Sequence, residues 1–413
     1  MNRICPACGA AQGRVLRTMR YALFDDSTLP RHTQITLCQG CGFVYADSEA
    51  TAQDYLAHYR RNSIYAATHE VRAGLTPQAQ APLVERAHRF LPQLPPSAAL
   101  VDIGAGSGDF LQVLGGLRPD VRRVALDPDP RCVAALQASG LDARLGSLDD
   151  LPANLAGQAD AVLLSHVLEH LWSPLEGIAQ AAALLKPTGV LYVETPDRQG
   201  YAEHPNVPFY YFDPEHINHF AVQDHARLGA RAALAMQAQG RSTLTLAGGV
   251  TYPVCWALLR RSPSAAETDW PPTDPHSVER YLLEQEGRLR HWFTSACQVL
   301  AAADSDIIVW GTGSQAQRVL AEGLLDACKV LAFVDSDTSK QGRRLAGIPI
   351  MAPAEGLALA PQAPVAILAA RAASALSPAT RMMRPTRVFF RTQAARKASA
   401  IPTRKRTLTL RAA

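Results

Sequence analysis

The sequence lacks a hydrophobic stretch of the length that a membrane requires. None of its apolar runs reaches the roughly 18 residues of a spanning helix. The opening residues, MNRICPACGA, contain no apolar core of a secretory signal. The composition is ordinary for a globular protein, with 47% hydrophobic and 19% charged residues in a chain of 413. We therefore expect a cytoplasmic protein of two or three domains that has no membrane partner.

The last part of the chain lacks acidic residues. From Arg371 onward it has eleven Lys and Arg and no Asp or Glu, so the net charge of +4 hides a charge of −7 on the preceding residues. A basic tail can bind nucleic acid or an anionic surface. A frame-disrupted terminus is another alternative, because the composition changes abruptly after Pro378. No folded motif accompanies the charge, so we favour a solvated, disordered tail over residues 379–413 and predict no nucleic-acid partner.

Cysteine is scarce, and four of the eight cysteines lie in two C-x-x-C pairs. Cys5 and Cys8 form CPAC, Cys38 and Cys41 form CQGC, and a glycine follows each pair. Two tight turns of this kind present four thiolates to one tetrahedral Zn²⁺ and leave no open coordination position. Two disulfides are the alternative, which the absence of a secretory signal disfavours. The spacing predicts a structural zinc ribbon in residues 1–75.

The centre of the chain opens with a strand, a glycine-rich turn and a helix. The segment VDIGAGSGDF has this pattern, which begins a doubly wound α/β domain. Alone, such a turn could serve NAD, FAD or S-adenosylmethionine. The next predicted strand, in VRRVALDPDP, ends at Asp127, where an acidic side chain can bind ribose hydroxyls.

Four motifs in this order, VDIGAGSGDF, ALDPDP, LSHVLEHLWSP and LLKPTGVLYVETP, resemble those of class I S-adenosylmethionine-dependent methyltransferases. The resemblance covers about residues 98–200 and implies a methyltransferase domain over residues 76–262. It implies that Glu169 and His170 are polar groups that support the fold. By position it implies that S-adenosylmethionine is bound by Asp102, Gly104, Gly106, Gly108, Asp127, Ser147, Leu148, Ser165 and His166.

A second strand–glycine–helix pattern follows a Pro/Ser-rich linker at residues 260–276. DIIVWGTGSQAQRVL and KVLAFVDSDTSKQG place Gly313 and Asp335 at the spacing of a dinucleotide fingerprint, but Ala316 occupies the third glycine position. An NAD site and a scaffold with a degenerate nucleotide site are both open readings. We predict a Rossmann-like half-domain over residues 276–378.

The order of these parts is similar to that of the nucleotide-sugar C-methyltransferases of deoxysugar biosynthesis. That resemblance implies an α/β fold with an N-terminal zinc ribbon, a class I methyltransferase core and a C-terminal Rossmann-like half-domain. It also implies methylation of the carbon next to the 4-keto group of a nucleotide-linked sugar. The family has an E-H-x-x-x-F pattern after the fifth strand, and EHINHF places Glu215 and His216 at the matching positions.

Methylation of carbon needs a base that removes the proton next to the ketone. The resemblance makes His216 that base, with Glu215 orienting it or holding a substrate hydroxyl. A metal held by Glu215, His216 and His219 is an alternative, although adjacent side chains on a helix point apart; a structural role for His216 is another.

The remaining candidates are weaker. His219 is expected in packing or in substrate contact. By resemblance, Tyr59 or Tyr65 contacts the substrate. The competing functions are O-methylation of a glycan or small natural product, nucleic-acid binding, and a scaffold that binds NAD.

Overall fold

The computed structural model describes most of the chain. The described residues are 3–62, 75–204, 208–246, 250–262, 274–301, 306–326, 328–368, 387–390 and 409–410. They form one four-stranded and two seven-stranded sheets. Within this part of the chain, no helix is both long enough and apolar enough to cross a membrane.

The N-terminal module is a small antiparallel sheet followed by a helix. Its elements are β1 (Gly13–Arg20), β2 (His32–Cys38), β3 (Val44–Asp47) and α1 (Ala52–Asn62). Strands β1, β2 and β3 pair in sequence order. Apolar residues of β2 and β3, among them Ile35, Leu37 and Val44, are buried against the rest of the molecule. This burial fixes the module on the central domain.

In the part of the chain that the structure describes, the central domain has thirteen α-helices and β-strands, which alternate along most of its length. They are α2 (Pro77–Phe90), β4 (Ala99–Ile103), α3 (Asp109–Leu117), β5 (Arg122–Asp127), α4 (Pro130–Ala138), β6 (Asp142–Leu145), β7 (Ala159–Ser165), α5 (Pro174–Ala183), β8 (Leu185–Pro196), β9 (Asn218–His219), α6 (Val222–Arg231), β10 (Leu234–Leu246) and β11 (Val250–Arg261).

The strand order of the central sheet is β10-β11-β8-β7-β4-β5-β6. The five strands from β8 to β6 are parallel, whereas β11 runs antiparallel to both β8 and β10. Strand β9 leaves this sheet and pairs with β3 of the N-terminal module. The predicted α/β class with a Rossmann-like core is confirmed.

The parallel strands β4, β5, β7 and β8 are buried along most of their length, which explains their largely apolar sequences. Along β4, Leu100 packs toward α3 with Phe110, while Val101 packs on the opposite face with Ile178 of α5. That opposite face also covers Phe43 of the N-terminal module. The module therefore completes one layer of the domain core.

The crossovers of the sheet reverse direction at β4. Strand β5 lies on one side of β4 and β7 on the other, so a crevice opens outside their carboxyl ends. In open α/β sheets this switch point is where ligands bind. It is also where the predicted cofactor residues are located.

The C-terminal domain has a long helix and a second mainly parallel sheet. Its elements are α7 (Ser277–Ala301), β12 (Ile307–Trp310), α8 (Ser314–Ala321), β13 (Val330–Val334), β14 (Arg344–Leu345), β15 (Ile348–Met351), α9 (Pro353–Leu359), β16 (Val365–Ile367), β17 (Arg387–Phe390) and β18 (Thr409–Leu410). The order is β14-β15-β13-β12-β16-β17-β18.

The C-terminal sheet is larger than the half-domain predicted from the sequence. Strands β17 and β18 lie in the segment predicted to be a disordered tail, yet they pair in parallel with β16 and with each other. For the rest of residues 379–413, disorder stays a prediction.

Candidate active site

The glycine-rich turn after β4 requires glycine for a steric reason. Gly104, Gly106 and Gly108 have φ angles of 73°, 53° and 71°, in the left-handed region. A Cβ on Gly104 would lie 2.9 Å from Cγ2 of Val167 in the loop after β7. The turn therefore holds the ends of β4 and β7 close together and leaves its backbone open to a ligand.

Asp127 joins the end of β5 to this turn. Its Oδ2 accepts the N–H of Gly106 at 2.9 Å, and its Oδ1 accepts the N–H of Asp129 at the same distance. Asp102 lies buried beneath the turn on β4. Burial raises the pKa of Asp102 to about 7, in spite of the opposing charge of Arg86.

The other predicted cofactor residues lie in the loops after β6 and β7. Ser147 forms a tight turn with Asp150, and Leu148 is buried. Ser165 ends β7, and His166 has a left-handed φ of 56°, unusual for a residue with a Cβ. The backbone N–H of His166 donates to the carbonyl of Glu194 at 2.8 Å. All nine predicted residues thus lie at one edge of the sheet, and their roles remain predictions.

A buried ionic network below this edge escaped the sequence analysis. Glu194 on β8 is fully buried and accepts hydrogen bonds from Arg86 Nε at 3.1 Å, Arg89 at 2.7 Å and the Tyr192 hydroxyl at 2.6 Å. His166 Nε2 lies 3.6 Å from the same carboxylate. Burial alone would raise the pKa of Glu194, but Arg86 and these other partners lower it to about 2. A glutamate within the apolar strand LYVETP was the only signal in the sequence.

The segment before β9 presents the predicted catalytic pair. Asp213 Oδ1 accepts the backbone N–H groups of both Glu215 and His216 at 2.9 Å, which fixes a tight turn. The side chains of Glu215 and His216 are half-buried. Burial opposes a charge on His216, but Asp213, Glu169 and Glu215 outweigh it, so the pKa of His216 lies above its ordinary value.

His170 and Glu169, which were expected only to support the fold, lie beside this pair. The ring centroids of His170 and His216 are 4.8 Å apart. Nδ1 of His170 is 3.1 Å from the carbonyl oxygen of Glu215 and 3.0 Å from the hydroxyl of Tyr59. Burial lowers the pKa of His170. We call Tyr59, Glu169, His170, Glu215 and His216 the polar cluster.

The polar cluster touches the predicted cofactor residues through one contact. Nδ1 of His166 lies 3.1 Å from Oε1 of Glu169, which is fully buried. On the far side of the cluster, Nε2 of His58 lies 3.4 Å from Oε1 of Glu215. His58 and Tyr59 both come from α1, so the N-terminal module forms one wall of the site.

The other substrate candidates fall elsewhere. His219 is almost fully buried on β9, where its ring lies 4.3 Å from that of Phe212 and its Nδ1 lies 3.1 Å from the Tyr201 hydroxyl. The structure thus favours packing for His219. Among the described residues, Glu215, His216 and His219 do not converge as metal ligands. Tyr65 lies outside the described residues.

The four cysteines of the two C-x-x-C pairs do converge. Their sulfur atoms lie within 4.8 Å of one another, with 3.6 Å between Cys5 and Cys41 and 3.5 Å between Cys8 and Cys38. These distances exclude disulfides, whose sulfur atoms are about 2.0 Å apart. Zn–S bonds of about 2.3 Å in a tetrahedron place sulfur atoms about 3.8 Å apart. The residues therefore fit a structural zinc ion.

The second glycine turn, in the C-terminal domain, is closed by its own side chains. Asp335, the acidic residue at the dinucleotide-like spacing, accepts hydrogen bonds from the N–H of Thr312 at 3.0 Å and from its hydroxyl at 2.6 Å. Lys340 Nζ lies 3.7 Å from the same carboxylate. Both readings of this domain, a nucleotide site and a scaffold, stay open.

Comparison with known proteins identifies the class of the central domain. Residues 76–239 match the family model described as "Methyltransferase domain", and residues 303–358 match "C2185-like, N-terminal". Residues 76–239 thus match a methyltransferase domain, as predicted from the sequence, and the activity of the whole protein stays a proposal. The finer assignment to nucleotide-sugar C-methyltransferases stays a prediction.

Two curated relatives show how far the likeness extends. The chain is 36% identical over 107 residues to a ubiquinone biosynthesis O-methyltransferase of Xanthomonas campestris pv. campestris, covering 25% of this chain and 45% of the relative. It is 37% identical over 108 residues to the enzyme of that name from Xanthomonas axonopodis pv. citri, with the same shares covered. The chain thus spans less than half the length of these relatives.

One solved structure is similar to part of the chain. It is the 1,6-didemethyltoxoflavin-N1-methyltransferase of Burkholderia thailandensis with bound 1,6-didemethyltoxoflavin and S-adenosylhomocysteine. Its sequence is 21% identical, and the match covers 53% of this chain and 95% of that one with a TM-score of 0.38.

Proposed function

We propose that the chain transfers a methyl group from S-adenosylmethionine to the carbon next to the keto group of a nucleotide-activated 4-keto-deoxysugar. The observation that carries this proposal is the polar cluster, in which Glu169 contacts His166, one of the predicted cofactor residues. The order of the cysteine module, methyltransferase domain and Rossmann-like sheet supports the sugar nucleotide as substrate. The polar cluster contains both a base and hydrogen-bond donors.

The reaction would begin with proton removal. Nδ1 of His216 is buried without a hydrogen-bond partner, so its lone pair can take the proton from the carbon next to the ketone. The ketone becomes an enolate, whose oxygen can accept a hydrogen bond from Tyr59 or His170. The enolate carbon then attacks the methyl group. A C–C bond forms, the CH₃–S bond breaks, and its electron pair stays on sulfur, giving S-adenosylhomocysteine.

We assign the cofactor to the edge formed by β4, β5, β6 and β7. Asp127 would bind the ribose hydroxyls and the backbone of Gly104–Gly108 would approach the amino-acid end. We further propose that Cys5, Cys8, Cys38 and Cys41 hold a structural zinc ion. That ion would stabilise the wall that carries Tyr59.

O-methylation is the second candidate function. The curated relatives are named O-methyltransferases, and a base beside a substrate hydroxyl would suffice for that reaction. The two functions differ in one property, because only C-methylation requires an exchangeable proton on the carbon next to the ketone.

Solvent exchange tests the proposal. The protein is incubated with a nucleotide-4-keto-deoxysugar and S-adenosylhomocysteine in deuterated water, and deuterium uptake is followed by mass and by proton NMR. We expect enzyme-dependent uptake that falls at least 100-fold in His216→Ala, within the range for loss of a general base. His276→Ala, which removes an exposed histidine just before α7, is the matched control and should exchange like the wild type.

Absence of deuterium uptake would change the proposed function. If S-adenosylhomocysteine binds tightly but no deuterium enters the sugar, C-methylation of this substrate class is excluded. O-methylation would then be the better reading. Uptake that persists in His216→Ala would remove His216 from the role of base.

A further inference from the structure

We propose that Glu169, His170 and His216 bind one divalent metal ion, which holds an oxygen of the methyl acceptor. The inference rests on the proposed function, since it places the ion where the acceptor would bind. One possible ligand atom from each of the three residues lies within 4.8 Å of the other two. This set differs from the combination of Glu215, His216 and His219 suggested by the sequence.

Glu169 supplies the strongest evidence for a ligand. Its side chain is fully buried, and Oε1 is within hydrogen-bonding distance of His166. Oε2 is also buried, yet it has no hydrogen-bond partner. Buried carboxylate oxygens without a partner are rare, because the loss of hydration is costly. A cation between Glu169 and the two imidazoles would supply the missing interaction.

The imidazole of His170 is oriented as in metal sites. Its Nδ1 lies 3.1 Å from the carbonyl oxygen of Glu215. When Nδ1 carries the proton and donates to that carbonyl, Nε2 keeps its lone pair and can bind a metal ion. Histidine ligands of metals generally donate their other N–H to a carbonyl or carboxylate in this way. The hydroxyl of Tyr59 lies 3.0 Å from the same nitrogen.

His216 approaches from the opposite side with an unpartnered nitrogen. No group hydrogen-bonds to its buried Nδ1, and the nearest carboxylate, Asp213, keeps Oδ2 at 3.7 Å. The two imidazole rings lie 4.8 Å apart, centroid to centroid. The carboxylates of Asp213 and Glu215 lie close enough to act on the charge of His216, and their negative charge favours a cation there.

The donor set indicates the kind of ion. Two imidazoles and one carboxylate suit a borderline ion such as Zn²⁺, Mn²⁺ or Fe²⁺, and three protein ligands leave positions open for another molecule. A ketone or hydroxyl oxygen of the acceptor could take such a position. The ion would stabilise an enolate oxygen, or the oxyanion formed when a hydroxyl loses its proton.

The lone pair of His216 cannot bind a metal ion and accept a proton at the same time. With the ion bound, the proton from the carbon next to the ketone passes to the Glu215 carboxylate instead. Loss of His216 stops exchange in either case, so activity alone does not distinguish the two roles. A direct measurement of metal binding is required.

Manganese binding to the full-length protein provides that measurement. Mn²⁺ prefers nitrogen and oxygen ligands, so the cysteine site does not compete for it. Free Mn²⁺ is quantified by electron paramagnetic resonance during titration. We expect one bound Mn²⁺ per chain, with affinity at least tenfold weaker in Glu169→Gln and in His216→Asn. The matched controls, Glu85→Gln and His276→Asn, change exposed residues outside the site and should bind like the wild type.

Two readouts keep the result interpretable. Binding of S-adenosylhomocysteine shows that each variant is folded. If the substitution of the buried Glu169 prevents folding, the Mn²⁺ affinity of His216→Asn alone tests the site, because His216 is only half-buried. The inference is overturned if the wild type binds no Mn²⁺, or if both folded variants bind it as the wild type does. Deuterium exchange at an unchanged rate after Mn²⁺ is removed would also overturn it while leaving the proposed function intact. Mn²⁺ binding without exchange would support the site and reject the proposed function.

Discussion

Arg3 donates a hydrogen bond of 3.1 Å to the carbonyl of Ile217, which joins the start of the cysteine module to the segment that carries Glu215 and His216. The same buried guanidinium donates to the carbonyl of Trp172 at 2.6 Å and to Oδ1 of Asn218 at 3.0 Å. The Arg3 side chain therefore connects the N-terminal module to the two segments that carry the polar cluster, the loop after β7 and the segment before β9. The N-terminal module is thus a part of the candidate active site.

Replacement of Arg3 by methionine should loosen these connections. The variant keeps apolar bulk but leaves several buried acceptors without a donor, so we expect the free energy of unfolding to fall by about 2 to 4 kcal/mol. Methyl transfer should decrease while the affinity for S-adenosylhomocysteine changes less than twofold, because Arg3 lies away from the glycine turn. Urea denaturation and calorimetric titration measure the two effects. Arg14→Met, which breaks only an exposed ion pair with Glu279, should cost less than about 1 kcal/mol.

Cys38→Ser should release the structural zinc ion. Elemental analysis is expected to find one zinc per chain fewer in this variant than in Cys328→Ser, which changes a cysteine of the C-terminal domain. The N-terminal module should become sensitive to proteolysis, since the binding free energy of a structural zinc ion contributes to folding. Equal zinc contents in the two variants would contradict the assignment.

The parts of the site that follow each other in the sequence could be predicted, whereas those joined only by folding could not. Gly104 and Asp127 belong to local motifs whose spacing indicates the turn and the end of the next strand. Glu169 and His170 were visible in LSHVLEH, but only the folded chain shows that they meet His216. The contact between Arg3 and Ile217 has no local pattern in the sequence at all, because it depends on how two modules pack.

Asp127→Asn should weaken cofactor binding by at least tenfold. The amide keeps the size of the side chain, but it cannot accept the N–H groups of Gly106 and Asp129 and also bind a ribose as a carboxylate does. Calorimetric titration with S-adenosylhomocysteine measures the change. Asp120→Asn alters an exposed carboxylate paired with Arg118 and should bind the cofactor like the wild type. Unchanged affinity in Asp127→Asn would exclude the ribose contact.

Glu194→Gln should be strongly destabilising. The substitution leaves the buried charges of Arg86 and Arg89 without their carboxylate. Such a loss typically lowers the free energy of unfolding by about 3 to 5 kcal/mol. Glu85→Gln is the matched control, because Glu85 pairs with the same Arg89 from an exposed position and should cost less than about 1 kcal/mol. Urea denaturation at pH 7 compares the two. Similar losses in both variants would show that the network is not the source of stability.

Asp102 should make the fold more stable in mild acid than at alkaline pH. Burial raises its pKa to about 7 in the folded state from an ordinary value of 3.8. Between these values the folded protein keeps a proton that the unfolded chain has released, so the free energy of unfolding falls as pH rises toward 7. From pH 5 to pH 8 this residue should contribute a decrease of about 3 kcal/mol at most.

Asp102→Asn isolates that contribution, because the amide does not titrate and all other groups are retained. Urea denaturation of the wild type and the variant at pH 5 and pH 8 gives the difference directly. The variant should lose less stability than the wild type over this interval. Equal losses in the two proteins would mean that the Asp102 carboxyl is already ionised at pH 5, and that Arg86 and the backbone of the turn, rather than a bound proton, stabilise it under the cofactor site.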